Sequence, residues 1–132
     1  MPMQRLSAKL LRTHHDERHG CGGHVAHWCP GCEEWHEFAV DRPFHNGARW
    51  SFDGNLEAPT FAPSMNIRVG PYPDDSEQPG RVDVCHYFLT AGRIQFLPDC
   101  THALSGQTVP LPDLPDQVLM QIRASQAYAV KS

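Results

Sequence analysis

Residues 28–36 read Trp28-Cys29-Pro30-Gly31-Cys32-Glu33-Glu34-Trp35-His36. Two thiols flank a Pro-Gly step. Pro30 presets a turn and Gly31 lets the backbone tighten, so both sulfurs can converge on one tetrahedral metal ion. Val25 to Cys29 and Trp35 to Val40 read as strands on either side of this step. The pattern predicts a hairpin with a metal at its tip, and that metal needs two more ligands from elsewhere in the chain.

A second hairpin offers them. Val82 to Leu89, the turn Thr90-Ala91-Gly92-Arg93 and Ile94 to Leu97 carry the strongest hairpin signal in the sequence. A short loop centred on Ala91-Gly92 sets Leu89 opposite Ile94, Tyr87 opposite Phe96, Cys85 opposite Pro98 and Asp83 opposite Cys100. Side chains alternate faces along a strand, and paired residues share a face. Cys85, Tyr87, Leu89, Ile94, Phe96 and Cys100 are therefore expected on one core-facing side, with His86 and Asp99 facing away. Cys85 and Cys100 then meet Cys29 and Cys32 and close a four-cysteine zinc site. His102, His86 and His36 are the alternate ligands, His102 because it follows Cys100 by two residues. Cys85 also has a plainer reading as a small buried hydrophobe. Cys21 reads as spare. Trp28, Trp35 and Trp50 read as apolar shielding around the thiolates.

The bulk properties agree with this picture. The chain has 132 residues, a net charge of −4, five cysteines, nine histidines, twelve prolines and ten glycines. Such a length suits one domain with a modest core. The acidic balance and the scattered Arg42, Arg49, Arg68, Arg81 and Arg93 disfavour a nucleic-acid partner. No apolar stretch approaches the roughly 20 residues of a membrane span, and no signal core is seen. A cytoplasmic setting follows, where cysteines favour metal over disulfides.

These readings combine into one mainly β (α+β) domain over 1–132. Two or three antiparallel hairpins are pinned by the zinc site, with short N- and C-terminal helices. The parts are an N-terminal helix and loop over 1–23, a zinc-bound β core over 24–112 and a C-terminal helix over 113–132. Leu6 and Leu10 give the first helix its spacing; Val118, Leu119 and Ile122 give the second its apolar face. Trp50 to Phe52 and Thr60 to Val69 form a further strand pair with a proline-restricted corner. Pro110 to Pro115 reads as a strap.

Five segments together resemble a known family. They are Trp28-Cys29-Pro30-Gly31-Cys32, Trp50-Ser51-Phe52-Asp53-Gly54-Asn55, Ala58-Pro59-Thr60-Phe61-Ala62-Pro63-Ser64, Cys85-His86-Tyr87-Phe88 and the run from Gly92 to Leu104 that contains Asp99-Cys100-Thr101-His102. They are similar to short, uncharacterised tailed-phage and prophage zinc-ribbon-like proteins, sometimes labelled "ammonia monooxygenase". The resemblance covers roughly residues 25–112. It implies a phage or prophage origin and a metal site built from the cysteine- and histidine-bearing segments.

Function follows from the closed metal site. Four protein ligands leave no position for an activated water. The expectation is a zinc-held module that binds a host or phage protein through exposed loops, with no catalytic residue assigned. The alternative is a zinc hydrolase. There Cys29, Cys32 and either Cys100 or His102 hold the ion, and Glu33, Glu34, His86 or Asp99 handle protons.

Overall fold

The computed structural model describes residues 4–13, 15–16, 21–22, 24–41, 43–44 and 46–117, with backbone alone at 15–16 and 21–22. It is built from two antiparallel sheets. The first carries β1 (Gln4–Arg5), β2 (Leu11–Arg12), β5 (Val25–Cys29) and β6 (Glu34–Phe38) in the order β1-β2-β5-β6. Strands β7 (Ser51–Phe52), β8 (Phe61–Val69), β9 (Asp83–Thr90), β10 (Arg93–Phe96) and β11 (Thr108–Pro110) form the second, in the order β11-β10-β9-β8-β7. A separate pair joins β3 (His15–Asp16) to β4 (Cys21–Gly22).

Both expected hairpins form. Val25 pairs with Phe38 and Cys29 with Glu34, which leaves Pro30 to Glu33 as the connecting turn. The Glu33 amide donates to the Cys29 carbonyl at 2.8 Å and closes it. In the second hairpin Leu89 pairs with Ile94 and Tyr87 with Phe96. Ala91 (φ 49°) and Gly92 (φ 74°) make the two-residue turn. Positive φ at both positions matches the right-handed twist of the flanking strands. Gly92 has a second reason to lack a side chain, because a Cβ there would press on the Ala58 backbone.

The core lies between the two sheets. Leu10, Val25, Cys29 and Phe38 meet Phe61, Met65, Cys85, Tyr87, Leu89, Ile94 and Phe96, and Leu111 is packed with them. Phe38 stacks on Phe61 with ring centroids 4.1 Å apart, and Phe52 stacks on the other side of Phe61 at 4.7 Å. All six residues expected on the inner side of the second hairpin, Cys85 and Cys100 included, are buried.

The helices of the expected α+β class are not borne out. Residues 4–12 form β1 and β2 instead of a helix. Ser7 explains the difference: its hydroxyl accepts from the amides of Lys9 and Leu10 and bends the chain into a turn. A local side-chain acceptor of this kind competes with helical hydrogen bonding. Leu10 and Leu11 are then buried in different clusters, on opposite faces of the strand. At the other end Asp113, Leu114 and Pro115 are not helical, Asp116 and Gln117 are, and the expected helix from residue 118 on lies outside the described residues. Part of the proline-rich strap turns out to be sheet. Thr108–Pro110 pairs with β10, Ile94 opposite Val109.

Candidate active site and thiol cluster

The outer face of the second sheet carries a hydrogen-bonded run of three side chains. On β8, Ser64 sits where the pairing with β9 shifts register between Phe61 and Met65. A bulge of this kind re-aims a side chain, and Pro63, with no N–H to offer a ladder, suits the break. The Trp50 indole donates to the Ser64 carbonyl at 3.2 Å and fixes the backbone there. On β9, His86 pairs with Asn66 and shares its outward face. Its Nε2 lies 3.3 Å from Ser64 Oγ, and its Nδ1 lies 3.1 Å from Asp99 Oδ2. A carboxylate only accepts, so His86 Nδ1 carries the proton and Nε2 is left to accept from the Ser64 hydroxyl. Arg68 approaches the same Asp99 oxygen at 3.9 Å.

Asp99 stands on a turn that is stitched to β9. The Leu97 amide donates to the His86 carbonyl at 2.9 Å, and the Thr101 amide donates to the Val84 carbonyl at 3.0 Å. Between them, Cys100 Sγ accepts from the His86 amide at 3.2 Å and donates to the His86 carbonyl at 3.2 Å. Cys100 therefore clasps the backbone of the residue whose side chain meets Asp99.

The inner face of the same strand carries the thiols. The ligand atoms of Cys29, Cys32, His36 and Cys85 all lie within 4.8 Å of one another, and so do those of Cys85, Cys100 and His102. These groups could hold a metal ion. Of the four cysteines expected to share one site, Cys29, Cys32 and Cys85 converge, while Cys100 stands with Cys85 and His102. Cys29 and Cys85 sulfurs are 3.9 Å apart across the two sheets. Hydrogen bonds from Cys32 and then Cys85 pull the Cys29 thiol down to about 4. The Cys85 thiol moves the opposite way, because it serves Cys29 as a donor. One thiolate thus forms readily and resists a second beside it. A bound cation removes that resistance and deprotonates coordinating thiols outright.

Beyond the thiols lies a buried polar run. The Tyr87 hydroxyl is 2.6 Å from His27 Nε2 and 3.0 Å from His36 Nδ1. Burial, then the neighbouring His36, lowers His27 to about 3, so its ring is neutral.

Among proteins of known families, the match is to the profile described as "Bacterial ubiquitination-like system serine protease (BubE)", over residues 2–97. The chain belongs to the BubE family. The matched span includes Ser64 and His86 and stops just before Asp99. No curated protein and no solved structure matches the chain.

Membership in BubE corrects the functional expectation. A serine-protease family points to an enzyme, not to a zinc-held module that docks on a host or phage protein. It is a family of a bacterial system, and the expected phage zinc-ribbon kinship finds no support in it. No helix of the described residues is long and apolar enough to cross a membrane. Sequence reading put His86 and Asp99 outward and considered both for proton handling, but it assigned no catalytic residue. Ser64 entered only as the last residue of the Ala58–Ser64 segment. The missing signal was the β8–β9 register, which a bulge displaces by an amount the sequence does not display. His86, an alternate metal ligand, has both ring nitrogens engaged on the outer face. Cys21, read as spare, lies on β4, where its side chain is outside the described residues.

Proposed function

We propose that this chain hydrolyses an amide bond of a polypeptide through Ser64, with His86 as general base and acid and Asp99 as its orienting carboxylate. The unbroken run from Ser64 Oγ through both His86 nitrogens to Asp99 carries the reading. It has the order of contacts that activates a weak hydroxyl nucleophile. Its sign is also right, since Asp99 holds the tautomer in which Nε2 accepts.

The steps follow from those contacts. Ser64 Oγ attacks the carbonyl carbon while His86 Nε2 takes its proton. Asp99 stabilises the imidazolium that forms. His86 then returns the proton to the departing amine nitrogen as the C–N bond breaks, leaving an ester on Ser64. Water attacks that ester, His86 accepts a proton from it, and the acid product leaves with Ser64 restored. The family description supports a substrate within a bacterial ubiquitination-like system. The exposed setting of the site suits a macromolecule, since Asn66, Arg68 and Phe88 stand open to solvent on the same face.

A fluorophosphonate probe tests the assignment without knowledge of the substrate. Native protein is expected to gain one covalent adduct, located on Ser64 by peptide mass spectrometry. His86→Ala should fold normally and label far more slowly. Labelling at another serine, at an equal rate in both proteins, would remove Ser64 as nucleophile.

We further propose that the metal held by Cys29, Cys32 and Cys85 is zinc. Soft thiolates in a tetrahedral setting favour it. The ion would tie β5 to β9 while Ser64 performs the chemistry.

A further inference from the structure

The three converging thiols leave one position of a tetrahedral ion to be filled, and the hydrogen bonds of the nearby histidines decide which ring fills it. His27 Nδ1 faces the Trp28 carbonyl at 3.1 Å. A carbonyl only accepts, so Nδ1 carries the hydrogen and the other ring nitrogen, Nε2, is the acceptor. The Tyr87 hydroxyl must then donate to His27 Nε2. With its proton committed, the Tyr87 oxygen accepts from His36, so His36 Nδ1 carries a hydrogen. His36 Nε2 is left as a bare lone pair.

That nitrogen is buried, in a side chain only 3% exposed, and among the described residues no hydrogen-bond donor reaches it. Glu34 Oε1 is 3.7 Å away and is itself only an acceptor. Native proteins rarely leave such an atom unsatisfied. His36 belongs to the same mutually close group as Cys29, Cys32 and Cys85.

The same logic removes the competitor. His102 Nδ1 accepts from the Leu104 amide at 3.2 Å, so Nε2 is the protonated nitrogen of that ring. It faces Cys85 Sγ at 3.5 Å as a donor. His102 also lies directly over the Cys-Pro-Gly-Cys turn, where a Cβ at Gly31 would collide with its ring. Its place is beside the thiolate, with no lone pair to offer a metal.

We infer that Cys29, Cys32, Cys85 and His36 together hold one tetrahedral ion, that His36 Nε2 is the fourth ligand, and that His102 donates a hydrogen bond to the Cys85 thiolate. The inference rests on the reading of the thiol group as a zinc site and adds the residue that closes it. The Tyr87–His27 run is then the outer support that fixes the tautomer and ring angle of the ligand, a role such partners play at most metal-bound histidines. With four protein ligands the ion has no open position, so it does not compete with Ser64 for the chemistry.

Cadmium-113 loaded into native protein with 15N-labelled histidine tests this without a substitution. One imidazole nitrogen should couple directly to cadmium, and its ring should carry its proton on Nδ1. Coupling from a ring protonated at Nε2, or coupling from none, would overturn the assignment of His36. Variants assign the ring. With cobalt as the probe, His36→Asn should weaken binding more than a hundredfold and shift the visible d–d bands. His102→Asn should weaken it by roughly tenfold with the bands in place, as expected for an outer partner. Band shifts confined to His102→Asn would reverse the two roles and sink the proposal. Should His36→Asn fail to fold, Tyr87→Phe reads the same relay. It should keep the native bands while weakening cobalt by about tenfold, and native affinity there would count against the relay. Native protein that binds neither cadmium nor cobalt would instead defeat the underlying zinc reading.

Discussion

If Ser64 is the proposed nucleophile, Ser64→Ala is expected to lower kcat for amide hydrolysis by about 10⁴- to 10⁶-fold and to leave the fold intact. The size follows from removing a nucleophile whose partners act as a unit. The structure supplies the reason that stability is spared. Ser64 stands on the outer face, and among the described residues its hydroxyl hydrogen-bonds to His86 alone. His86→Ala should cost about as much, and the double variant no more than either single one, since neither group works alone. Asp99→Asn should fall by about 10⁴-fold, because an amide can donate to His86 Nδ1 and stabilise the wrong tautomer. Arg68, 3.9 Å from Asp99, does not supply the missing acceptor. Steady-state kinetics with a peptide ester and the matching amide would check all three. Residual activity in Ser64→Ala within tenfold of native would place the nucleophile elsewhere.

Cys85→Ser is expected to be the most destructive substitution for the fold. It removes the sulfur that lies 3.9 Å from Cys29 Sγ across the two sheets and that the proposed ion would bind. Metal binding in small thiolate sites is coupled to folding and contributes on the order of 10 kcal/mol. The whole stability of a domain this size is about 5–15 kcal/mol. A strong chelator should therefore abolish the cooperative thermal transition, and zinc should restore it. Activity should vanish and return in step, because His86 follows Cys85 on β9 and Asp99 precedes Cys100. Scanning calorimetry with and without chelator measures the effect. A chelated protein that melts at the native midpoint would show that the ion holds nothing together.

Much of this arrangement was legible in the sequence, for identifiable reasons. The Cys-Pro-Gly-Cys hairpin and the Ala91-Gly92 turn have local chemistry strong enough to set their own registers. From the second register came the correct division of β9, with Cys85 and Tyr87 inward and His86 outward. Three features were hidden. The N-terminal strands lay behind a leucine spacing that a single hydroxyl, Ser7, overrides. Cys100 was expected in a ladder with Asp83, but β10 ends at Phe96 and the chain turns, so Cys100 reaches the His86 backbone instead. The meeting of Ser64 with His86, 22 residues apart in sequence, depends on strand pairing interrupted by a bulge. Long-range register of that kind is set by packing of the whole sheet and leaves no local trace.

Strand β9 alternates its duties one residue at a time: Cys85 inward, His86 outward, Tyr87 inward. Deleting or inserting a single amino acid ahead of Cys85 would exchange the two sides, because strand periodicity is two. The imidazole would enter the oily interior and the sulfur would meet solvent. A change of length therefore cannot move the outward imidazole without also moving the inward sulfur. Length change here is forbidden, and variation must come by exchange of side chains alone.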